Sequence, residues 1–142
     1  MNSTPTAAQR REIEARAKGL CEYCHTPAKY SLQSFECDHI VPLARGGATS
    51  LSNLAYVCGG CNRKKGIHTT GIDPDNGQEV TLFHPRIHPW QVHFTWNGDF
   101  THMIGLTAIG RATIYRLQLN RPGVVNLRAV LVRVRVHPPQ DQ

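Results

Sequence analysis

The chain has 142 residues, with 16 Lys/Arg against 10 Asp/Glu, a formal net charge of +6 and a pI of about 9.4. That length fits one domain with a modest core, the 40% hydrophobic content argues against wholesale disorder, and no apolar run is long enough to cross a membrane. Residues 1–11 hold no apolar segment of the secretion-signal kind, so the five cysteines are expected in a reducing cytoplasm, as metal thiolates rather than disulfides. The positive charge suits a polyanionic partner, most simply nucleic acid, and a charge that only aids solubility is the plain alternative. It leans to one half: residues 1–70 carry nine Lys/Arg and five Asp/Glu, residues 71–142 seven and five.

After a loose start over residues 1–3, Thr4-Pro5 reads as an N-cap followed by a proline at the first helical position, and helix formers run on to Lys18 with Gly19 as the stop. Arg10, Arg11 and Lys18 would occupy its outward face, in solvent or against a polyanion. Cys21 and Cys24 follow, with His25 beside them as a surface residue. Residues 35–41 suit a short strand carrying Cys37, which has no partner at ligand spacing and is expected as a buried free thiol. A polar loop with Gly46 and Gly47 leads to a second strand-like run over 51–57, then to Cys58 and Cys61, and Asn62 is expected to open a short helix.

Residues 71–79 have turn chemistry. Residues 80–83 and 91–96 read as strands, and Asn97-Gly98 signals a hairpin with 100–106 returning from it. A helical pattern covers 109–119. Pro122 suits a helix start, and the alternating, β-branched run over 130–136 predicts that this helix gives way to extended chain. Residues 137–142 are expected to fray. The organisation this predicts is α+β: a core over residues 1–70 and an extension over 71–142 that packs on it as one compact unit.

Two Cys-x-x-Cys pairs are a strong signal for a structural zinc site, because two intervening residues let both sulfurs of a pair reach one tetrahedral ion. The long interval from Cys24 to Cys58 means that such an ion would staple the two ends of an excursion together. That excursion carries Asp38-His39. Adjacent side chains on a strand point to opposite faces, so a shared role for these two requires the strand to end there, and Pro42 just beyond agrees. If a helix beginning at Asn62 packs across the hairpin, Asp38 and Asn62 can present two oxygens to one hard cation, which suits Mg²⁺ or Mn²⁺. His39 then supplies an imidazole able to take a proton from water near neutral pH. Arg63, Lys64 and Lys65, read as lying at the helix start, would neutralise phosphate, as would Arg45 in the preceding loop. These are the parts needed to hydrolyse a phosphodiester.

In order, Cys-x-x-Cys, Asp38-His39-Ile40-x-Pro42, Gly46-Gly47, Asn53-Leu54 and Cys58-x-x-Cys61-Asn62-x-x-Lys65-Gly66 resemble the HNH nuclease family over about residues 20–66. The resemblance implies the ββα-metal fold, two strands joined by a long loop and followed by a helix, with one catalytic metal in the middle. It implies His39 as the general base, Asp38 and Asn62 as metal ligands, and Asn53 as the asparagine that pins the loop and orients the base. It also implies Cys21, Cys24, Cys58 and Cys61 as zinc ligands. Asn62 stands where many members have histidine, which favours Mg²⁺ or Mn²⁺ over softer metals. DNA is the expected substrate, cut to 5′-phosphate and 3′-hydroxyl ends. Phosphate contacts do not separate DNA from RNA, so RNA stays open, as does the oligomeric state.

The extension, with Asp73-Pro-Asp-x-Gly77, Pro85-Arg86, Trp90, His93-Phe94 and Gly105-Leu-Thr-x-Ile-Gly-Arg-Ala-Thr113, resembles that of bacterial HNH proteins. His84, Arg86, His88 and His93 can contact substrate or serve as the polar edges of a packed platform. Arg111, Arg116, Arg121 and Arg128 recur at helical spacing, as a phosphate-binding or a merely solvated face. The rival to a nuclease is a zinc-containing nucleic-acid-binding module without catalysis, which leaves Asp38, His39, Asn53 and Asn62 without a role.

Overall fold

A computed structural model describes residues 3–139 of the chain. It is α+β, and it divides into two compact units between Thr69 and Thr70. No helix among the described residues is long and apolar enough to cross a membrane.

The first unit opens with α1, Ala7–Arg16. Its cap is Thr6, two residues later than Thr4-Pro5 suggested. Gln9 N donates to Thr6 Oγ1 at 3.1 Å and Thr6 N donates to Gln9 Oε1 at 2.9 Å, a reciprocal box that satisfies two helix-end donors. The helix stops at Arg16 rather than Lys18, because Lys18 and Gly19 both take left-handed backbone, with φ of 55° and 72°. Strand β1, Glu36–His39, pairs antiparallel with β2, Leu54–Val57, placing Asp38 opposite Ala55 and His39 opposite Leu54. Helix α2, Gly59–Lys65, follows directly. Ile13, Tyr23, Phe35, Ile40, Leu54, Ala55 and Val57 are buried in this unit. Cys37, expected buried, is only partly so.

The second unit begins with the pair β3, Thr70–Ile72, and β4, Glu79–Thr81. A short helix α3, Trp90–His93, leads into β5, Phe94–Trp96, which pairs with β6, Met103–Gly105. The strand read over 91–96 is therefore half helical turn. The Asn97-Gly98 hairpin forms with a wider loop than a two-residue turn, held by Asn97 Oδ1, which accepts from the Thr101 and His102 N–H groups at 3.0 and 3.1 Å. Helices α4, Ala108–Leu117, and α5, Pro122–Arg133, complete the unit.

Helix α5 corrects the sequence reading, since residues 130–133 stay helical. It buries Val124, Arg128 and Leu131, a spacing of four and three that belongs to a helix face. Arg128 sits in the middle of that face and obscures the apolar period. Its guanidinium donates to the carbonyls of Thr101 and Leu119, each at 2.9 Å, and lies 5.0 Å from the Trp96 ring centroid. Arg111 is likewise engaged, donating from Nε and Nη2 to the two carboxylate oxygens of buried Asp73 at 3.0 and 2.8 Å. These two arginines are structural, so the phosphate-binding face drawn through 111, 116, 121 and 128 does not form as one row. Nor does the tail fray at once: His137 is buried, with Nε2 2.9 Å from the Phe100 carbonyl and its ring edge-on to Trp96 at 4.5 Å. The expectations for residues 1–2 and 140–142 lie outside the described residues.

Candidate active site and zinc cluster

The four cysteines Cys21, Cys24, Cys58 and Cys61 bring their sulfurs within 4.8 Å of one another. The first pair sits in a tight turn in which His25 N donates to the Cys21 carbonyl at 2.9 Å. Glu22 ties that turn to β2, its N–H donating to the Tyr56 carbonyl at 2.9 Å and its carboxylate accepting from Tyr56 N at 2.8 Å. The second pair starts α2: Cys58 is the N-cap, and its sulfur accepts from Cys61 N at 3.4 Å. Cys24 Sγ and Cys58 Sγ are 3.7 Å apart. A disulfide would hold them at about 2.05 Å, whereas the edge of a tetrahedron with metal–sulfur bonds of about 2.3 Å is about 3.8 Å. The cluster thus fits a zinc ion. Hydrogen bonds from the neighbouring thiols, that of Cys21 first, hold Cys24 and Cys58 below the usual thiol range, while burial pushes Cys21 up.

The turn after β1 brings the second set together. Asp38 and His39, the last two residues of β1, line one cavity of about 310 Å³ together with Asn62, Pro42 and Leu43. Asp38 is buried, 7% exposed, and faces an equally buried Lys65 across 3.0 Å. Burial pushes the Asp38 carboxyl up, and the Lys65 ammonium pulls the other way. Lys65 Nζ is what faces the buried Asp38 Oδ2 among the described residues, and it supplies the compensating charge. The oxygens on offer around the cavity are carboxylate and carboxamide, a donor set that suits a hard divalent cation. Such a cation would approach Asp38 by the oxygen that Lys65 leaves free.

Asn53, buried just before β2, holds the loop. Its Oδ1 accepts from Val41 N at 2.9 Å, and its Nδ2 donates to the carbonyls of Val41 and Ala48, each at 2.9 Å. Gly47 is needed at this point, because a Cβ there would lie 1.7 Å from the Val41 carbonyl oxygen and 2.8 Å from Asn53 Nδ2. The pinned loop carries Thr49, whose Oγ1 is 2.8 Å from His39 Nε2 and donates to the Ser3 carbonyl at 3.3 Å. In the tautomer where Thr49 gives its proton to Ser3 and accepts from His39 Nε2–H, Nδ1 is the ring nitrogen with the free lone pair.

Residues 21–67 match the family model described as HNH endonuclease. This stretch is an HNH endonuclease domain. The chain is similar, at 34% identity over 56 residues, to the type IV methyl-directed restriction enzyme EcoKMcrA of Escherichia coli strain K12; that stretch is 37% of this chain and 20% of the relative. It is 47% identical over 47 residues to the CRISPR-associated endonuclease Cas9 of Corynebacterium diphtheriae, covering 32% of this chain and 4% of that protein. The chain thus spans a fifth or less of these curated relatives. The family and both relatives support nuclease function in general.

Within the HNH domain, one sequence expectation needs correction. Asn62 does not open α2. The helix starts at Gly59, so Arg63, Lys64 and Lys65 form its last turn, where cations are favoured by the helix dipole and no free N–H groups face a phosphate. Arg63 and Lys64 are exposed there, but Lys65 is 1% exposed and also reaches the His39 carbonyl at 3.3 Å. Arg45 is exposed in the loop, with Nε donating to the Ile67 carbonyl at 2.8 Å. In the second unit, His84 and His88 spend their Nδ1 atoms on the N–H groups of Arg86 and His84, at 3.2 and 2.9 Å, and His93 pairs with Thr107 at 2.6 Å. Two residues at the site had no signal in the sequence: Thr49, in a polar loop, and Glu36, whose carboxylate accepts from Asn62 Nδ2.

Proposed function

We propose that this protein is a metal-dependent endonuclease that hydrolyses DNA phosphodiester bonds, with residues 1–70 as its nuclease core and 71–142 as an accessory extension. The observation that carries the reading is the convergence of Asp38, His39 and Asn62 on one cavity. His39 Nδ1 takes a proton from a water that attacks the phosphorus, while Thr49 holds the ring by Nε2–H. Asp38 and Asn62 would hold a Mg²⁺ or Mn²⁺ ion, which when bound offsets charge on the phosphate and on the departing 3′-oxygen. Asn53 keeps the loop, and hence Thr49, in place. Arg63, Lys64 and Arg45 are exposed cations close in sequence to the cavity residues and would neutralise flanking phosphates. Cys21, Cys24, Cys58 and Cys61 hold zinc as a structural staple.

Supercoiled plasmid incubated with the zinc-loaded protein tests this. Nicked or linear product with Mg²⁺ or Mn²⁺, and none when both ions are left out of the zinc-loaded protein, is the expected result. DNA binding without cleavage under either cation would favour a non-catalytic binding module instead.

A further inference from the structure

The two side chains read as cation ligands differ in kind. Either oxygen of a carboxylate can ligate a cation, but a carboxamide has one end that ligates and one that repels. What matters at Asn62 is therefore which end faces the cavity. Its Nδ2 donates to Glu36 Oε2. A carboxylate has acceptors only, so the amide nitrogen must face Glu36 and Oδ1 must turn away from it.

The placement of Glu36 is not incidental to the hairpin. Glu36 and Asp38 stand two residues apart on β1 and so share a face. Asn62 and Lys65 stand three apart on α2 and share a side of the helix. Two polar pairs then join strand to helix, Glu36 with Asn62 and Asp38 with Lys65. Asp38, His39 and Asn62 line the cavity and Glu36 does not. Glu36 reaches the cavity through the amide that it holds, and its charge adds to burial in pushing the Asp38 carboxyl up.

We propose that Glu36 is a positioning residue of the cation site: by accepting from Asn62 Nδ2 it aims Asn62 Oδ1 at the divalent ion. This rests on the reading of Asp38 and Asn62 as ligands. Glu36 itself neither ligates the ion nor touches substrate. A glutamine in its place could accept from Nδ2 or donate to Oδ1, so the amide would no longer have one orientation.

The test is Mn²⁺ titration of the zinc-saturated full chain, followed by the electron paramagnetic resonance of free Mn²⁺. Glu36 is exposed, so Glu36→Gln should keep the zinc content and melting temperature of the wild type. Its Mn²⁺ affinity is expected to fall about tenfold, as for other partners that orient a ligand. In an Asn62→Ala background the same substitution is expected to change affinity by less than about twofold, because its effect passes through the missing amide. An unchanged affinity in Glu36→Gln overturns the proposal. So does a loss of similar size in the Asn62→Ala background, which would make Glu36 a ligand or a remote charge. If the wild type binds no Mn²⁺ that Asp38→Asn removes, the reading of the site fails, and the proposal fails with it; if that binding is present and only Glu36→Gln is silent, the proposal alone fails.

Discussion

Lys65 Nζ lies 3.0 Å from Asp38 Oδ2, and both side chains are withdrawn from solvent. The pair locks the last turn of α2 onto the end of β1. Removing the cation alone leaves a buried carboxylate without compensation, which typically costs about 3–5 kcal/mol. Lys65→Met should therefore lower the urea midpoint of the first unit strongly. Mn²⁺ should recover more stability in this variant than in the wild type, because an ion at Asp38 supplies the missing charge. Equal stabilisation of both proteins by Mn²⁺ would argue that no cation reaches Asp38.

Thr49 holds His39 from the far side of the ring. Thr49→Val keeps the shape and removes the acceptor for Nε2–H. Plasmid cleavage by this variant should drop in kcat by up to about 10²-fold, the scale of a misplaced catalytic group, with KM, zinc content and melting temperature little changed. Unaltered kcat would mean that the ring is oriented by something else.

The cysteine cluster makes a different kind of prediction. Structural zinc is coupled to folding because its ligands are not gathered in the unfolded chain. Elemental analysis should find one zinc per chain, and Cys58→Ala should lose both the ion and the cooperative unfolding of the first unit. The Cys58 sulfur also caps α2, so the loss should extend to the helix that carries Asn62. A zinc-free Cys58→Ala protein with a sharp transition would contradict the staple.

Acid should weaken the second unit. The Arg111 guanidinium holds the Asp73 carboxyl below the usual range, and the Thr101 hydroxyl does the same for Asp99. In the unfolded chain an Asp titrates near about 3.9, so on acidification the unfolded state takes up these protons first. The stabilisation is complete above that value and is lost as pH falls through it toward the lower folded values. Trp90 and Trp96 are the chain's only tryptophans and both belong to the second unit. Urea unfolding followed by their fluorescence, from about pH 6 to about pH 3, should show this acid limb, and Asp73→Asn should flatten part of it. An identical limb in Asp73→Asn would remove Asp73 from the account.

How far the chain could be read before its structure follows from where the information lies. The knuckle cysteines, Asp38-His39 and Asn53 stand out in the sequence because residue type at short, fixed spacing marks them, and the structure gathers the four sulfurs, sets Asp38 and His39 on one cavity and ties Asn53 to the loop. A cysteine is an unfamiliar N-cap, so the sequence points to Asn62 as the start of α2, and the actual start at Gly59 turns a supposed phosphate cradle into the last turn of the helix. Lys65 reads as one of three surface cations until the hairpin delivers Asp38 to it. Thr49 and Glu36 are ordinary in sequence and gain meaning only through contacts made across the loop and between strand and helix. In α5, a buried Arg128 interrupted the apolar pattern, and the valines over 130–136 mimicked a strand.

The most direct measurement of the central claim compares wild type with His39→Ala in Mn²⁺-dependent cleavage of supercoiled plasmid, with Mn²⁺ binding and zinc content measured on the same samples. If His39 is the base, the variant binds both metals as the wild type does, and cleavage falls by about 10²–10⁴-fold, the usual contribution of general base catalysis. Cleavage at the wild-type rate by a metal-loaded His39→Ala protein would contradict the assignment.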